Sequence, residues 1–207
     1  MINKKGAMFG LDARIALAIF GALSVISGAA LYSAVEQSKA TALLTELQEV
    51  GKAWEQFYLD TGTKFIGRSN SHIYIFDSGS LIENTYNIKN WKGPYLPNST
   101  YSCTTGIICP DHPIYKGMDL VIVNNNNTWG DDIPWIDTTH GLCLSGQSCS
   151  LWATIGGIES NSLVKNVDLI VDGSNSPKSG KFKWYYANDD GMHRALLKIA
   201  PFENPND

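Results

Sequence analysis

The sequence predicts an α+β fold: a long N-terminal α-helix packed on a C-terminal antiparallel β-sheet, with a disulfide-containing loop region. Three observations predict it. An uncharged apolar run, Ile15 to Ala34, passes without a break into an amphipathic helical pattern that continues to Tyr58. Short β-branched and aromatic runs appear only later in the chain. Four cysteines lie in that later part as two pairs, Cys103/Cys109 and Cys143/Cys149, each with five residues between.

The helix comes first. Ile15 to Ala34 is 20 residues without a formal charge, roughly 30 Å of helix and so the thickness of a bilayer's hydrocarbon core. Leu43, Leu44, Leu47, Val50, Trp54, Phe57 and Tyr58 then recur at helical spacing, with Glu46, Gln48, Glu49, Lys52 and Glu55 between them. One helix is expected over residues 8–60, with a transmembrane segment at 13–35, and Thr61-Gly62 is its stop signal. Lys4 and Lys5 precede the apolar run, which keeps the N-terminus cytoplasmic and sends the later part across the membrane. The competing reading is a secretory signal cleaved near Leu31-Tyr32-Ser33-Ala34. The length of the run, Asp12 and Arg14 ahead of it, and the periodicity that follows it argue against that reading.

The residues before the run carry a further pattern: Lys4-Lys5-Gly6-Ala7, then Met8-Phe9-Gly10-Leu11-Asp12. This stretch, through Tyr58, resembles the N-terminus of type IV pilins and type II secretion pseudopilins. Those proteins carry a short basic leader, a cleavage site after a small residue, an early acidic residue and an apolar helix. With Asp12 as the fifth mature residue, cleavage falls between Ala7 and Met8; cleavage after Gly6 stays open. Gly21 follows Asp12 by nine residues, as a glycine often does in that family. Ala7 in place of the usual glycine, Arg14, and the lack of proline between Ile15 and Ala40 depart from the family pattern. Asn90-Trp91-Lys92-Gly93-Pro94-Tyr95-Leu96-Pro97 is similar to a segment that follows the helix in major pseudopilins.

The resemblance implies a leader at residues 1–7 removed by a prepilin peptidase, methylation of the new amine, and an inner-membrane subunit with its domain, residues 61–207, in the periplasm. It implies self-assembly into a helical filament through an inner-membrane platform. Three residues would serve assembly. Asp12 would pair with the freed amine of a neighbouring Met8, since a carboxylate at the edge of an apolar core needs a partner. Pairing with Arg14 is the competing reading, but residues two apart on a helix do not face each other. Gly21 and Gly28, seven apart, would let apolar helices approach closely. Major pseudopilins bind calcium near the C-terminus; Asp172, Asn175, Asp189 and Asp190 are the oxygen ligands on offer, although the same residue types build ordinary turns.

In order after the helix, Thr61 to Ser71 reads as a polar turn region and His72 to Phe76 as a short extended segment. Ser80 to Glu83 can start a short helix, and Trp91 to Pro97 is extended around two prolines. Strands are expected at Asp119–Val123, Val167–Val171, Lys181–Ala187 and Ala195–Ile199, the third with Phe182, Trp184 and Tyr186 in alternation. Thr128 to Ser150 reads as a long surface loop and Pro201 to Asp207 as a polar tail. In an exported domain the cysteines read as disulfides. Three pairings are open, with two local loops favoured by the repeated spacing, each contributing less than the usual 2–4 kcal/mol or so. His112 and His140 lie near enough in sequence to keep zinc as an alternative.

No catalytic motif stands out. The four histidines make no His-Glu-x-x-His, and neither a Gly-x-Ser-x-Gly nor a phosphate-binding glycine loop occurs. Asp131, Asp132 and Asp137 read as a solvated acidic loop. The net charge is -4 across 207 residues with no block of either sign, which argues against a nucleic-acid surface.

Overall fold

The computed structural model describes residues 5–64, 66, 74–104, 106–136 and 140–207. The chain divides into two compact units, Met1–Lys39 and Ala40–Asp207. Helix α1, Lys5–Thr61, makes up the first and opens the second. Of the expected leader, residues 1–4 lie outside the described residues, and only the helical backbone is described at Gly6, Ala7 and Met8.

In the first unit the apolar side chains of α1 face outward. Leu17, Phe20, Val25, Leu31 and Tyr32 are each 67–72% exposed. From Ala40 the same helix carries a buried stripe: Ala40, Leu43, Leu47, Val50, Ala53 and Phe57 are almost fully enclosed. Burying each of the larger ones stabilises the unit by about 1.5–3 kcal/mol. Phe57 makes edge-on contacts with Phe76 and Tyr95, at 5.7 and 5.9 Å. The Trp91–Leu96 segment is fastened to the end of α1, where the Tyr95 hydroxyl donates to Asp60 (3.1 Å) and Lys92 pairs with it at 2.9 Å.

A 3₁₀ turn, Ser78–Leu81, follows close to where a short helix is expected. Strands β1 (Thr100–Thr104) and β2 (Ile107–Pro110) form a hairpin. Its Cys103–Cys109 disulfide joins the two strands, and a second disulfide joins Cys143 to Cys149, so both pairings are local. Strands β3 (Gly117–Asn124), β4 (Cys149–Ile158), β5 (Phe182–Ala187) and β6 (Met192–Phe202) make one antiparallel sheet in the order β3-β4-β6-β5. Three expected strands lie in β3, β5 and β6. Of the His72–Phe76 segment, 72 and 73 lie outside the described residues; Ile75 forms an isolated bridge to Val121.

Four expectations are corrected. Val167–Val171 is not a strand but the second half of helix α2, Asn161–Asp172. Ser160 accepts the N–H of Leu163 as N-cap, Gly173 ends the helix in the left-handed conformation, and Leu163, Val164 and Val167 face the core. A short apolar run does not by itself separate strand from helix; the caps do. Strand β4 was not expected, and it takes Cys149 and Ser150 out of the predicted loop. That loop is not simply surface, because its Trp129 and Trp135 are buried. The expected polar tail is shorter, because its first two residues belong to β6, and the rest is held in place. β6 runs on to Phe202, the Asn206 amide donates to Cys143 O (2.6 Å), and Asp207 accepts the N–H of Gly146 (2.7 Å).

The sheet therefore has two covered faces. Leu120, Ile122, Leu151, Ile155, Phe182 and Leu197 meet α1 and α2 on one. Val121, Val123, Trp152, Tyr185 and Leu196 meet Trp129 and Trp135 of the β3–β4 loop on the other.

Candidate functional site

Two places carry functional chemistry. The first is the N-terminal half of α1. Asp12 is exposed, as is every described side chain from Ala13 to Val35. Gly21 and Gly28 have nothing within 4 Å of where a Cβ would stand, so both positions are open to close approach. The stretch is long and apolar enough to cross a membrane, and none of it is buried. Asp12 lies at one edge of this stretch, Gly21 and Gly28 within it.

The second place is the loop-covered face of the sheet, which gathers Asp119, Lys183, Asp190 and Arg194. The register sets Asp119 beside Thr154 on β3 and β4, and Thr154 beside Leu196. One row on, Gly117, Gly156, Arg194 and Tyr185 lie side by side across all four strands. Arg194 makes a two-pronged pair with Asp190 (3.2 and 2.6 Å), and Lys116 reaches the same carboxylate at 2.9 Å. Burial alone would raise the Asp190 pKa. The hydrogen bonds from Arg194 and Lys116 outweigh burial and hold it at about 2. Asp119 is the opposite case. Burial, reinforced by the charge of Asp77, pushes its carboxyl up to about 8, so it is protonated at neutral pH. Its Oδ1 lies 2.6 Å from Sγ of the disulfide-bonded Cys109, a contact suited to a carboxyl that keeps its proton.

Lys183, 2% exposed, is a further charge on this face. Its ammonium stands 4.2 Å from the centre of the Trp129 ring and 5.9 Å from that of Trp152, and it donates to the carbonyl of Asn126. Burial, with Lys198 adding to it, lowers its pKa to about 8. Cation–π contact and one carbonyl partly replace the lost hydration.

The proposed calcium ligands are not brought together. Asp172 sits at the start of β5, where it accepts the N–H groups of Lys181 and Phe182 at 2.9 and 2.8 Å. Asp189 and Asp190 follow the far end of that strand, and Asp190 is committed to Arg194 and Lys116. The zinc alternative is overturned. All four cysteines are in disulfides. The His112 ring uses both nitrogens, Nδ1 accepting from Ile114 and Tyr115 while Nε2–H donates to Glu46 (3.1 Å). Among the described residues the one group of metal-type side chains is Cys103, Cys109 and Asp119, and its sulfurs are bonded to each other. Asp131 and Asp132 are exposed, and Asp137 lies outside the described residues.

The sequence reading missed the cluster on the second face. Its signal was a charge at alternate positions inside apolar strands: Asp119 between Met118 and Leu120, and Lys183 between Phe182 and Trp184.

The molecule is thus an α+β protein with one N-terminal helix suited by length and composition to a single membrane crossing, and a disulfide-bonded domain. Comparison with protein-family models, curated proteins and solved structures finds no match.

Proposed function

We propose that this chain is a structural subunit of a type IV pilus or type II secretion pseudopilus filament. The observation that carries the reading is the two-part helix. Within α1 an uncharged, outward-facing apolar stretch gives way to a stripe buried in an α+β domain. The apolar part is stable in a bilayer and equally stable among parallel copies of itself, so one helix serves both as anchor and as filament core. The motif Gly6-Ala7-Met8 with Asp12 supports processing by a prepilin peptidase. The subunit would wait in the inner membrane with its domain in the periplasm, then join the filament through the assembly platform. Asp12 would pair with the amine of a neighbouring Met8 and so set the axial register. The function is assembly rather than catalysis.

The mature N-terminus tests this directly. Mass spectrometry of the protein purified from membranes is expected to find cleavage after Ala7 or Gly6, with a methyl group on the new amine. Cleavage near Ala34 would remove the assembly helix and overturn the reading. An uncleaved chain retaining Lys4 and Lys5 would point instead to an anchored, exported binding protein or enzyme that does not polymerise.

A further inference from the structure

The second face of the sheet contains a cavity of about 460 Å³, within the range of small-ligand sites. Its floor is made by what is missing. Gly117 and Gly156 lie opposite each other on β3 and β4. A Cβ at Gly117 would collide with the Tyr101 hydroxyl, and one at Gly156 would come within 2.9 Å of the Arg194 side chain. Exposed Lys116 and Asp189 on its lining open it to solvent.

Three hydroxyl groups line this space without a hydrogen-bond partner among the described residues. Thr154 is 92% buried and Tyr185 is 93% buried (8% and 7% exposed), yet neither hydroxyl is sealed from solvent. Tyr101 is the third. Hydroxyls that converge on one solvent-reached opening and are not used by the protein offer a ligand hydrogen bonds in place of water. Burial holds both tyrosines at about 12, so each hydroxyl keeps its proton and can donate as well as accept.

Charge decides the ligand class. Lys116 and Arg194 are both spent on Asp190, and with Asp189 the two cations are balanced by two anions. An anion finds no unpaired cation here. A metal ion finds one unpaired acid, Asp189, on the rim. An apolar ligand would leave three hydroxyls unsatisfied, at a desolvation cost for each. A neutral ligand whose own hydroxyls both donate and accept, and whose C–H groups can meet the apolar lining at Ile75 and the edge of Trp135, suits these groups.

We infer that the cavity bounded by Tyr101, Thr154, Tyr185 and Arg194 is a binding site for a neutral carbohydrate of mono- or disaccharide size. The site does not depend on filament assembly, and its failure would leave that reading untouched.

Saturation-transfer NMR on the full chain tests it, in micelles of lauryldimethylamine oxide because glucoside and maltoside detergents would compete. The probes are glucose, galactose, N-acetylglucosamine, maltose and lactose at millimolar concentration, with N-acetylneuraminic acid as the charged control. Transfer to at least one neutral sugar is expected, weakened about tenfold in affinity by Thr154→Val and by Tyr185→Phe, each of which removes one hydrogen-bonding oxygen. Both variants should keep the wild-type near-UV circular dichroism. No transfer to any neutral sugar, transfer to the charged sugar alone, or transfer unchanged in both variants would overturn the assignment.

Discussion

The two faces of the sheet are built on different principles. The helix face is mostly apolar: Phe57, Leu47 and Val50 of α1 and Val164 and Val167 of α2 close over Leu120, Leu151 and Leu197, with Asp168 of α2 and His193 of β6 the buried exceptions beside Trp184. The loop face buries comparable aromatic bulk, Trp129 against Trp152 at 5.2 Å, but places Lys183, Asp119 and Arg194 among it. Apolar contacts are stabilised by exclusion of water and do not themselves titrate. A face with enclosed ionisable groups makes stability a function of protonation. The first face holds the domain together; the second supplies its chemistry. All six tryptophans lie in the unit from Ala40 onward, so urea unfolding followed by tryptophan fluorescence reads that unit alone.

The largest effect is expected on the helix face. Phe57→Ala removes a fully buried ring held between Phe76 and Tyr95, and should cost about 3–5 kcal/mol. The loss should be the same at pH 5 and pH 8. A loss that varied with pH would mean that the Phe57 packing is coupled to a titrating group, Asp168 on the same face or Asp119 and Lys183 on the other.

Next is Asp119. Its folded pKa, about 8, lies above the ordinary carboxylate value. The stability it contributes is therefore fully present below about pH 4 and is lost as pH rises toward 8. Asp119→Asn should reduce that decline, removing it above about pH 6 where Asp168, itself pushed up to about 6 by burial, no longer contributes, and leave the variant more stable than wild type at pH 8. An unchanged urea-midpoint profile between pH 4 and 8 would show that Asp119 is already ionised in the native protein.

Lys183 gives the smaller effect, with the opposite pH direction. Its folded pKa is depressed to about 8, so its contribution is present above the ordinary lysine value and is lost as pH falls from about 10.5 to 8. Lys183→Met keeps the stem over Trp129 without the charge and should flatten the profile in that window. A variant less stable than wild type at pH 7 would show that the cation–π contact outweighs the desolvation.

How much of this was legible in the sequence follows from the same contrast. The stripe from Leu43 to Tyr58 was legible because helical periodicity and burial coincide there. Phe182 and Trp184 were legible for the strand equivalent of that reason. β4 was not. Leu151, Ala153 and Ile155 point to one covered face and Trp152 and Thr154 to the other, so a strand buried on both sides shows no clean alternation. Val167–Val171 was misread because its apolar residues suit either element, and the deciding caps, Ser160 and Gly173, lie outside the run. The cavity was beyond reach. Tyr101, Thr154, Tyr185 and Arg194 are up to 93 positions apart in sequence (101 to 194); strand order and register bring the last three together, and packing of the β1–β2 hairpin adds Tyr101 over Gly117.

By itself the sequence determined the features that depend on near neighbours. These are the uncharged run, the amphipathic stripe that continues it, the α+β class and the spacing that makes local disulfides favourable. Each follows from side chains a few residues apart acting through helix or strand geometry. Only the tertiary structure decided which strands are central, that the tryptophan loop closes the second face, that Lys183 is enclosed and that Asp119 is half-buried at the cavity. A charge's cost and a hydroxyl's lack of partners depend on what the rest of the chain brings around them, and that is a property of the folded whole.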